Sequence, residues 1–565
     1  MTIKKPSKRK PKKERLWAVC DSETDPFVFG RVPKPFIWGF FDGENYEEFS
    51  DTEDFVRFIY DKDIVIYAHN GGKFDWHFLL DWLNPGDDIM FINGRISQAK
   101  IGQCELRDSY NILPIPLAGF QKDVIDYAMF EESERIKPHN KKAISAYLQS
   151  DCRYLWMLVR AFIDRHGMRL TQAGAAMRLF ENMYDIKAPS SSKEFFDEVR
   201  PYYYGGRVQC FQKGVKREKF RVIDINSAYP RAMLDQHPFG TDLIQVDATV
   251  DDSHEHPQLF YRVRAIADGC FPWREAVGKK LIYPTDNEVR EYYVTGWEMR
   301  AALKLNAVKI VELISVYDAG ETISFKDYIL PLFEERKQCK LNGDKAGDIL
   351  AKLAMNSLYG KFGADPSGYS RSRLFDVKDL DALMVEGIDA GNATYHFGGE
   401  LGDSVCVGTR ELFDSEMKYY NVATAASITG WVRAFLFESL RACKGVIYCD
   451  TDSIACTDPS GLDMGLELGQ WKDEGEYDQW AVAGRKMYAF KHHARLAAAQ
   501  ALPPGEARDK AMKEAVKTAC KGARLNADEI EAVARGETVT YTFDAPNFST
   551  RHGARFVERD IRGTD

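Results

Sequence analysis

At roughly 100 to 200 residues per domain, the 565-residue chain has room for about three to five units, which excludes a single small binding module. Apolar residues make up 45% and charged residues 28%, a composition able to bury several cores and unlike that of a disordered chain. The formal charge of -9 argues against indiscriminate coating of nucleic acid, yet residues 1–15 hold eight Lys or Arg against Glu14 alone, a basic leader able to hold phosphate or a partner.

No run approaches the ~18 apolar residues of a membrane span, and the N-terminus lacks the apolar core of a secretory signal. Eleven cysteines stand at irregular spacing with no Cys-x-x-Cys, so neither a disulfide framework nor a zinc module is expected, and a reducing cytoplasm fits best.

In chain order, residues 16–23 read as a buried strand ending in acids, and 64–68 as a second strand running into His69-Asn70-Gly71-Gly72. Ile144, Tyr147, Leu148, Leu155, Leu158, Val159 and Phe162 recur at helical spacing after Pro138 and predict a helix over 143–162. Asp21 and Glu23, two apart on a strand, project from one face. Asp75 follows the second strand, and Asp151 falls one helical turn after Tyr147. Four carboxylates and a tyrosine can thus converge on hard divalent cations such as Mg²⁺; without them the like charges would raise one another's pKa values. A lone Asp-x-Glu at a strand end is more often solvated surface, and it is the ordered set that changes the reading.

Residues 220–225 predict a strand ending near Asp224, with a helix-like segment after Pro230. Residues 326–341 and 346–360 predict two helices about the turn Asn342-Gly343-Asp344. Arg336 and Lys340 share a face of the first helix, and Lys352, Asn356 and Tyr359 share one of the second. Residues 445–456 predict strand, acidic turn and strand, with Asp450 and Asp452 flanking Thr451. Acids on neighbouring strand ends can hold a metal pair between a 3′ hydroxyl and a triphosphate.

Asp21-x-Glu23-Thr24, Asn70-x3-Phe74-Asp75 and Tyr147-x3-Asp151, in that order, resemble the three exonuclease motifs of proofreading DNA polymerases. The resemblance implies metal ligands at Asp21, Glu23, Asp75 and Asp151, with Tyr147 orienting the attacking water. It also implies primer-end contacts at Thr24, Asn70, Phe74 and Ser109, with Lys122 supporting the site. Tyr110 stands where that pattern has Leu, and the Asn-to-Phe spacing is one residue longer.

DINSAYP (224–230), KLAMNSLYGKFG (352–363) and YCDTDS (448–453) resemble motifs A, B and C of family B DNA polymerases, with Ala228 in place of the usual Leu. By that resemblance Asp224 and Asp452 are metal ligands and Asp450 a supporting acid, while Lys340 and Lys352 contact the triphosphate. Tyr229 is implied as the gate against ribonucleotides, and Asn356, Tyr359 and Gly360 as the lining of the nascent base pair. Tyr203-x-Gly205-Gly206 resembles the linker that touches template, Lys486-x-Tyr488 the motif that steadies the primer terminus, and Lys521-Gly522 a further primer contact.

The proofreading motifs begin at residue 21 without a large preceding domain, which resembles the protein-primed polymerases of phages and linear plasmids. The fold class this implies is a multi-domain α+β chain, a ribonuclease-H-like exonuclease domain followed by palm, fingers and thumb with two inserted subdomains. The expected divisions are a leader 1–15, exonuclease 16–190, palm 191–239, first insert 240–325, fingers 326–363, second insert 364–420, palm 421–525 and thumb 526–565. The implied cofactor is Mg²⁺, two per site, with Mn²⁺ able to substitute. The implied partners are template and primer DNA, deoxynucleoside triphosphates and a terminal protein primer, with no membrane, in a cytoplasmic monomer or heterodimer with that protein. Two rival readings are a polymerase that extends only nucleic-acid primers and a noncatalytic DNA-binding scaffold.

Overall fold

The computed structural model describes residues 15–276, 278–379, 395–401 and 405–563; all of the basic leader except Arg15, and part of the second expected insert, lie outside the described residues. The chain divides into two compact units. One comprises residues 1–172, 367–417 and 543–556, the other 173–366, 418–542 and 557–565.

The first unit is built on a mixed ten-stranded sheet. At its centre Trp17–Thr24 lies parallel to Val65–Ala68, which lies parallel to Cys104–Asp108, while Pro35–Phe41 pairs antiparallel on the other side of Trp17–Thr24. Val65–Ala68 is buried at every position and Trp17–Thr24 at all but two, so these strands read as apolar runs without alternation, as strands covered on both faces do. The helix expected over 143–162 extends over Pro138–His166, with Pro138 pre-setting its first turn and Gly167, at φ +68°, ending it. Ile144, Tyr147, Leu148, Asp151, Cys152 and Leu155 line its buried face, which carries Asp151 inward with the apolar residues. Ser370–Asp376 adds to the sheet by pairing with Asp88–Ile92, and Val405–Glu411 and Tyr395–Leu401 follow it. Residues from the second expected insert therefore complete this sheet.

The second unit is organised by a seven-stranded antiparallel sheet. Its order is Val516–Cys520, Met487–Lys491, Trp471–Gly484, Gly214–Ile225, Ser453–Asp458, Lys444–Asp450 and Val208–Cys210. The strand expected over 220–225 begins at Gly214; its first half is half-exposed and polar, so only its buried end carried an apolar signal. The helical segment expected after Pro230 is Ala228–Ala232, which takes Pro230 into its first turn, where a missing N–H costs no hydrogen bond. The helical hairpin is Lys326–Leu341 and Lys345–Phe362, turned by Gly343 at φ +71°, with the Asp344 carboxylate accepting from the Gly347 N–H at 2.9 Å. Residues 240–325 hold a four-stranded antiparallel sheet and the helix Gly296–Lys304. That helix packs on the buried helix Val422–Ala442, which joins the two to one hydrophobic core. All eleven cysteines are free, and no helix among the described residues is long and apolar enough to cross a membrane.

Candidate active sites

In the first unit the carboxylates of Asp21, Glu23 and Asp151 place oxygens within 4.8 Å of one another. Strand pleat sends Asp21 and Glu23 to the face on which the buried side of the long helix presents Asp151. Asp75 lies at the edge of this cluster, buried, its Oδ1 accepting from Ser22 Oγ at 2.5 Å. Burial, followed by the neighbouring acids, pushes Glu23 up to about 8 and holds Asp21 well above the carboxylate range. Burial likewise takes Asp75 to about 6 and raises Asp151. Lys122 answers this charge, its Nζ 3.2 Å from Asp151 Oδ2. Asp151 Oδ1 is buried and, among the described residues, has no hydrogen-bond partner within 3.5 Å. An orphaned carboxylate oxygen among hard oxygen donors that disfavour their own ionisation fits a divalent cation such as Mg²⁺. Tyr147 lies one turn before Asp151, its hydroxyl 3.1 Å from that of Tyr127 and its ring 5.4 Å from Lys122 Nζ.

Around these acids Phe74 is half-buried, edge-on to Phe27, and Asn70, at φ 64°, accepts from Arg95 at 3.0 Å. Thr24 is buried and bonds the Asp25 carbonyl. Ser109 is buried, its Oγ donating to the Ala68 carbonyl and lying 3.1 Å from His69 Nδ1, which places it behind the His69 ring beside Asn70.

In the second unit Asp224 and Asp450 stand on the two strands flanking Ser453–Asp458, and both register on Ser453. Asp452 lies on the turn between, its carbonyl accepting from the Ile225 N–H at 2.7 Å. The three acids thus meet at one end of the sheet. Burial, then Asp452 and Glu474, pushes Asp224 up to about 7; burial and Asp450 raise Asp452. Lys486 Nζ lies 2.8 Å from both Asp450 oxygens, and Lys352 adds a positive charge near Asp452. This donor set also fits divalent cations, which would favour the ionised acids.

Beside the acids the rings of Tyr229 and Tyr359 stack 4.2 Å apart at 7°. Lys352 and Gly360 are exposed on the same helix, and the Asn356 side chain donates to the Lys352 carbonyl. Lys340 is exposed, whereas Arg336 is bound to Asp348 at 2.8 Å, so the expected cationic pair on that helix is reduced to Lys340. Tyr203 lies against Gly363, where a Cβ would meet its ring at 2.6 Å. Gly205 is exposed in open space. Tyr488, near the primer-motif Lys486, packs on Phe490, and the Lys521 N–H donates to the Lys486 carbonyl at 2.9 Å.

Sequence reasoning missed two buried arginines here. Arg433 pairs with Glu298 at 2.7 Å and donates to the Tyr204 carbonyl at 2.6 Å. Arg207 donates to the Gly269 carbonyl at 2.8 Å and lies 4.1 Å over the Tyr283 ring.

The model for DNA polymerase type B, organellar and viral, matches residues 119–434. The DNA-directed DNA polymerase of Enterobacteria phage PRD1 is 33% identical over 99% of this chain and 100% of its own length. The DNA polymerase of Bacillus phage phi29 is 23% identical over 83% of this chain and 85% of its own. Among solved structures, phi29 DNA polymerase complexed with primer-template DNA superposes with a TM-score of 0.70 at 18% identity, covering 97% of this chain and all of that one. The same enzyme with primer-template DNA and incoming nucleotide gives 0.69. The mixed α/β multi-domain fold is shared.

Proposed function

The chain belongs to the type B organellar and viral DNA polymerases and is a DNA-directed DNA polymerase, and from that premise we propose that it also proofreads and starts synthesis on a terminal protein. The observation that carries the two-activity reading is the presence of two separate carboxylate clusters, one around Asp21, Glu23 and Asp151 and one around Asp224, Asp450 and Asp452. In this reading 16–190 is the exonuclease domain, 191–239 and 421–525 the palm, 326–363 the fingers, 526–565 the thumb, and 240–325 and 364–420 the inserts.

Asp224 and Asp452 hold the cations of synthesis, and Asp21, Glu23, Asp75 and Asp151 those of degradation; when bound, such ions neutralise phosphate charge and activate the attacking oxygen. Lys352 and Lys340 attract the triphosphate, and Asn356, Tyr359 and Gly360 line the nascent pair. The Tyr229 ring, fixed by its stack on Tyr359, floors the site and collides with a 2′ hydroxyl. Lys486 keeps Asp450 in place beside the primer end and, with Tyr488 and Lys521, steadies that end. Tyr203, Gly205 and Gly206 give the template backbone a close approach. In the other site Tyr147, hydrogen-bonded to Tyr127, orients water, while Lys122 restrains Asp151. Thr24, Asn70 and Phe74 hold the frayed end.

Incorporation of a labelled deoxynucleotide on a primed template and removal of 3′ nucleotides from a single strand, each with Mg²⁺ and with EDTA, test the two activities. Failure of the purified chain to degrade any strand would leave synthesis and remove proofreading.

A further inference from the structure

Loop 25–34 in the first unit holds four apolar side chains in water: Phe27, Val28, Phe29 and Val32 are 41 to 47% exposed. Polar bonds brace the loop from beneath. Arg31 donates to the Pro26 carbonyl at 2.6 Å and pairs with Glu131 at 3.1 Å, Arg135 pairs with Asp25 at 2.6 Å, and Gly30 turns the chain at φ +83°. Side chains kept exposed by a braced loop mark a surface that meets something.

The rings continue on both sides. Phe27 lies edge-on to Phe74 at 5.7 Å, next to the buried acid Asp75. Phe74 contacts Phe548 at 5.8 Å, Phe548 stacks on His77 at 5.3 Å, and Phe29 meets Phe556 at 5.5 Å. Phe548 and Phe556 flank the tip of the C-terminal hairpin, which exposes Arg551 and Arg555. No ion pair among the described residues engages either arginine, whereas Arg31 and Asp25 of the loop are paired with its neighbours. Aromatic faces interleaved with free arginines, running up to metal-binding acids, match single-stranded nucleic acid, whose bases stack on rings and whose phosphates seek the cations.

We propose that Phe27, Phe29, Phe556 and Arg555 extend the contact at Phe74 into a stacking platform that holds the single strand entering the exonuclease site. This rests on the proofreading reading, and the test separates the two. In the full chain, the KM and kcat for degrading oligothymidylates of increasing length are compared with strand affinity measured by anisotropy in EDTA, which needs no degradation. Phe29→Ala with Phe556→Ala should raise KM for long strands at least about fivefold, the lower end for losing one stacked base, without changing kcat or the KM of the shortest substrate. Phe29→Tyr with Phe556→Tyr should restore it, and Arg555→Ala should lower the salt dependence of affinity. Tight strand binding through these rings without degradation would sustain the platform and remove proofreading. Equal KM values at every length in a folded variant of normal melting would overturn the platform. So would unchanged strand binding with altered sedimentation, which would make the rings a contact between copies.

Discussion

The Thr451 N–H donates to the Arg207 carbonyl at 2.7 Å, which ties the turn between Asp450 and Asp452 to the segment following the paired glycines. Thr451 holds φ 58°, a left-handed conformation that costs a β-branched residue on the order of 1–2 kcal/mol. Gly206 is the packing partner that permits it, because a Cβ there would lie 2.6 Å from the Thr451 side chain. The linker thereby sets where the two acids stand.

Gly206→Ala should therefore lower nucleotide addition, by on the order of 10²-fold if the turn moves by about 1 Å. Degradation of single strands should be spared. Thr451→Gly removes the obstructing side chain and accepts the left-handed φ, so the double variant should recover most of the lost rate in a single-turnover incorporation assay. Equal loss in the single and double variants would place the linker's effect elsewhere.

Synthesis and degradation should separate cleanly. Asp452→Asn should abolish incorporation and leave strand degradation, whereas Asp21→Ala with Glu23→Ala should do the reverse, since the acids form different clusters. Primer extension and 3′ trimming of an end-labelled strand read the two. A folded variant that loses both activities would contradict the assignment.

Sugar discrimination should rest on Tyr229. Its ring is clamped face to face with Tyr359 at 4.2 Å and cannot yield to a 2′ hydroxyl. Tyr229→Val should raise ribonucleotide relative to deoxynucleotide incorporation, measured as a ratio of kcat/KM values; an unchanged ratio in an active variant would move the gate to another residue.

Much of both sites was legible because their residues are local in sequence. Asp21 and Glu23 are two apart on an apolar strand, and the spacing that buries Leu148 and Leu155 also buries Asp151. Arg433 was not legible. Its partner Glu298 is 135 residues away and doubles as the capping-box acid of its helix, a role that leaves no sign of the second bond. The pairing of Ser370–Asp376 with Asp88–Ile92 was hidden likewise, since strand partners far apart in sequence share no periodicity. Nor was the hydrogen bond from Ser109 to the Ala68 carbonyl legible, because a motif names a residue type without saying what its hydroxyl meets.

The metal-free protein should lose stability as pH rises. Glu23 is pushed up to about 8 and Asp75 to about 6 by burial, with Asp151 also acting on Glu23, whereas unfolded carboxyls titrate near ~4. The folded chain thus binds more protons than the unfolded chain across this window. The stability they confer is fully present below ~4 and is lost as pH rises through about 6 to 8. In EDTA the apparent Tm should fall between about pH 5 and 8, Glu23→Gln should flatten the slope, and Mg²⁺ should raise Tm most at the alkaline end. A flat profile in EDTA would show that these acids ionise without penalty.

Initiation offers the sharpest remaining test. Residues 240–325 leave the strand carrying Asp224 and return before the helical hairpin, and they hold a four-stranded sheet of their own. Residues 364–420 depart after that hairpin and return before Val422–Ala442. Among the described residues neither excursion supplies an acid to the Asp224 cluster, and under the proposal of protein priming they serve the partner that brings a hydroxyl to the primer position. The chemistry asks only for an aligned oxygen nucleophile, which a protein side chain provides as well as a sugar. With its cognate terminal protein, Mg²⁺ and one labelled deoxynucleotide, the enzyme should form a covalent protein–nucleotide adduct. Asp452→Asn should abolish the adduct, and Asp21→Ala with Glu23→Ala should preserve it, because nucleotide transfer uses only the second cluster. If an annealed primer is extended well while the cognate protein is never labelled, the enzyme starts from nucleic-acid primers and the two excursions serve DNA alone.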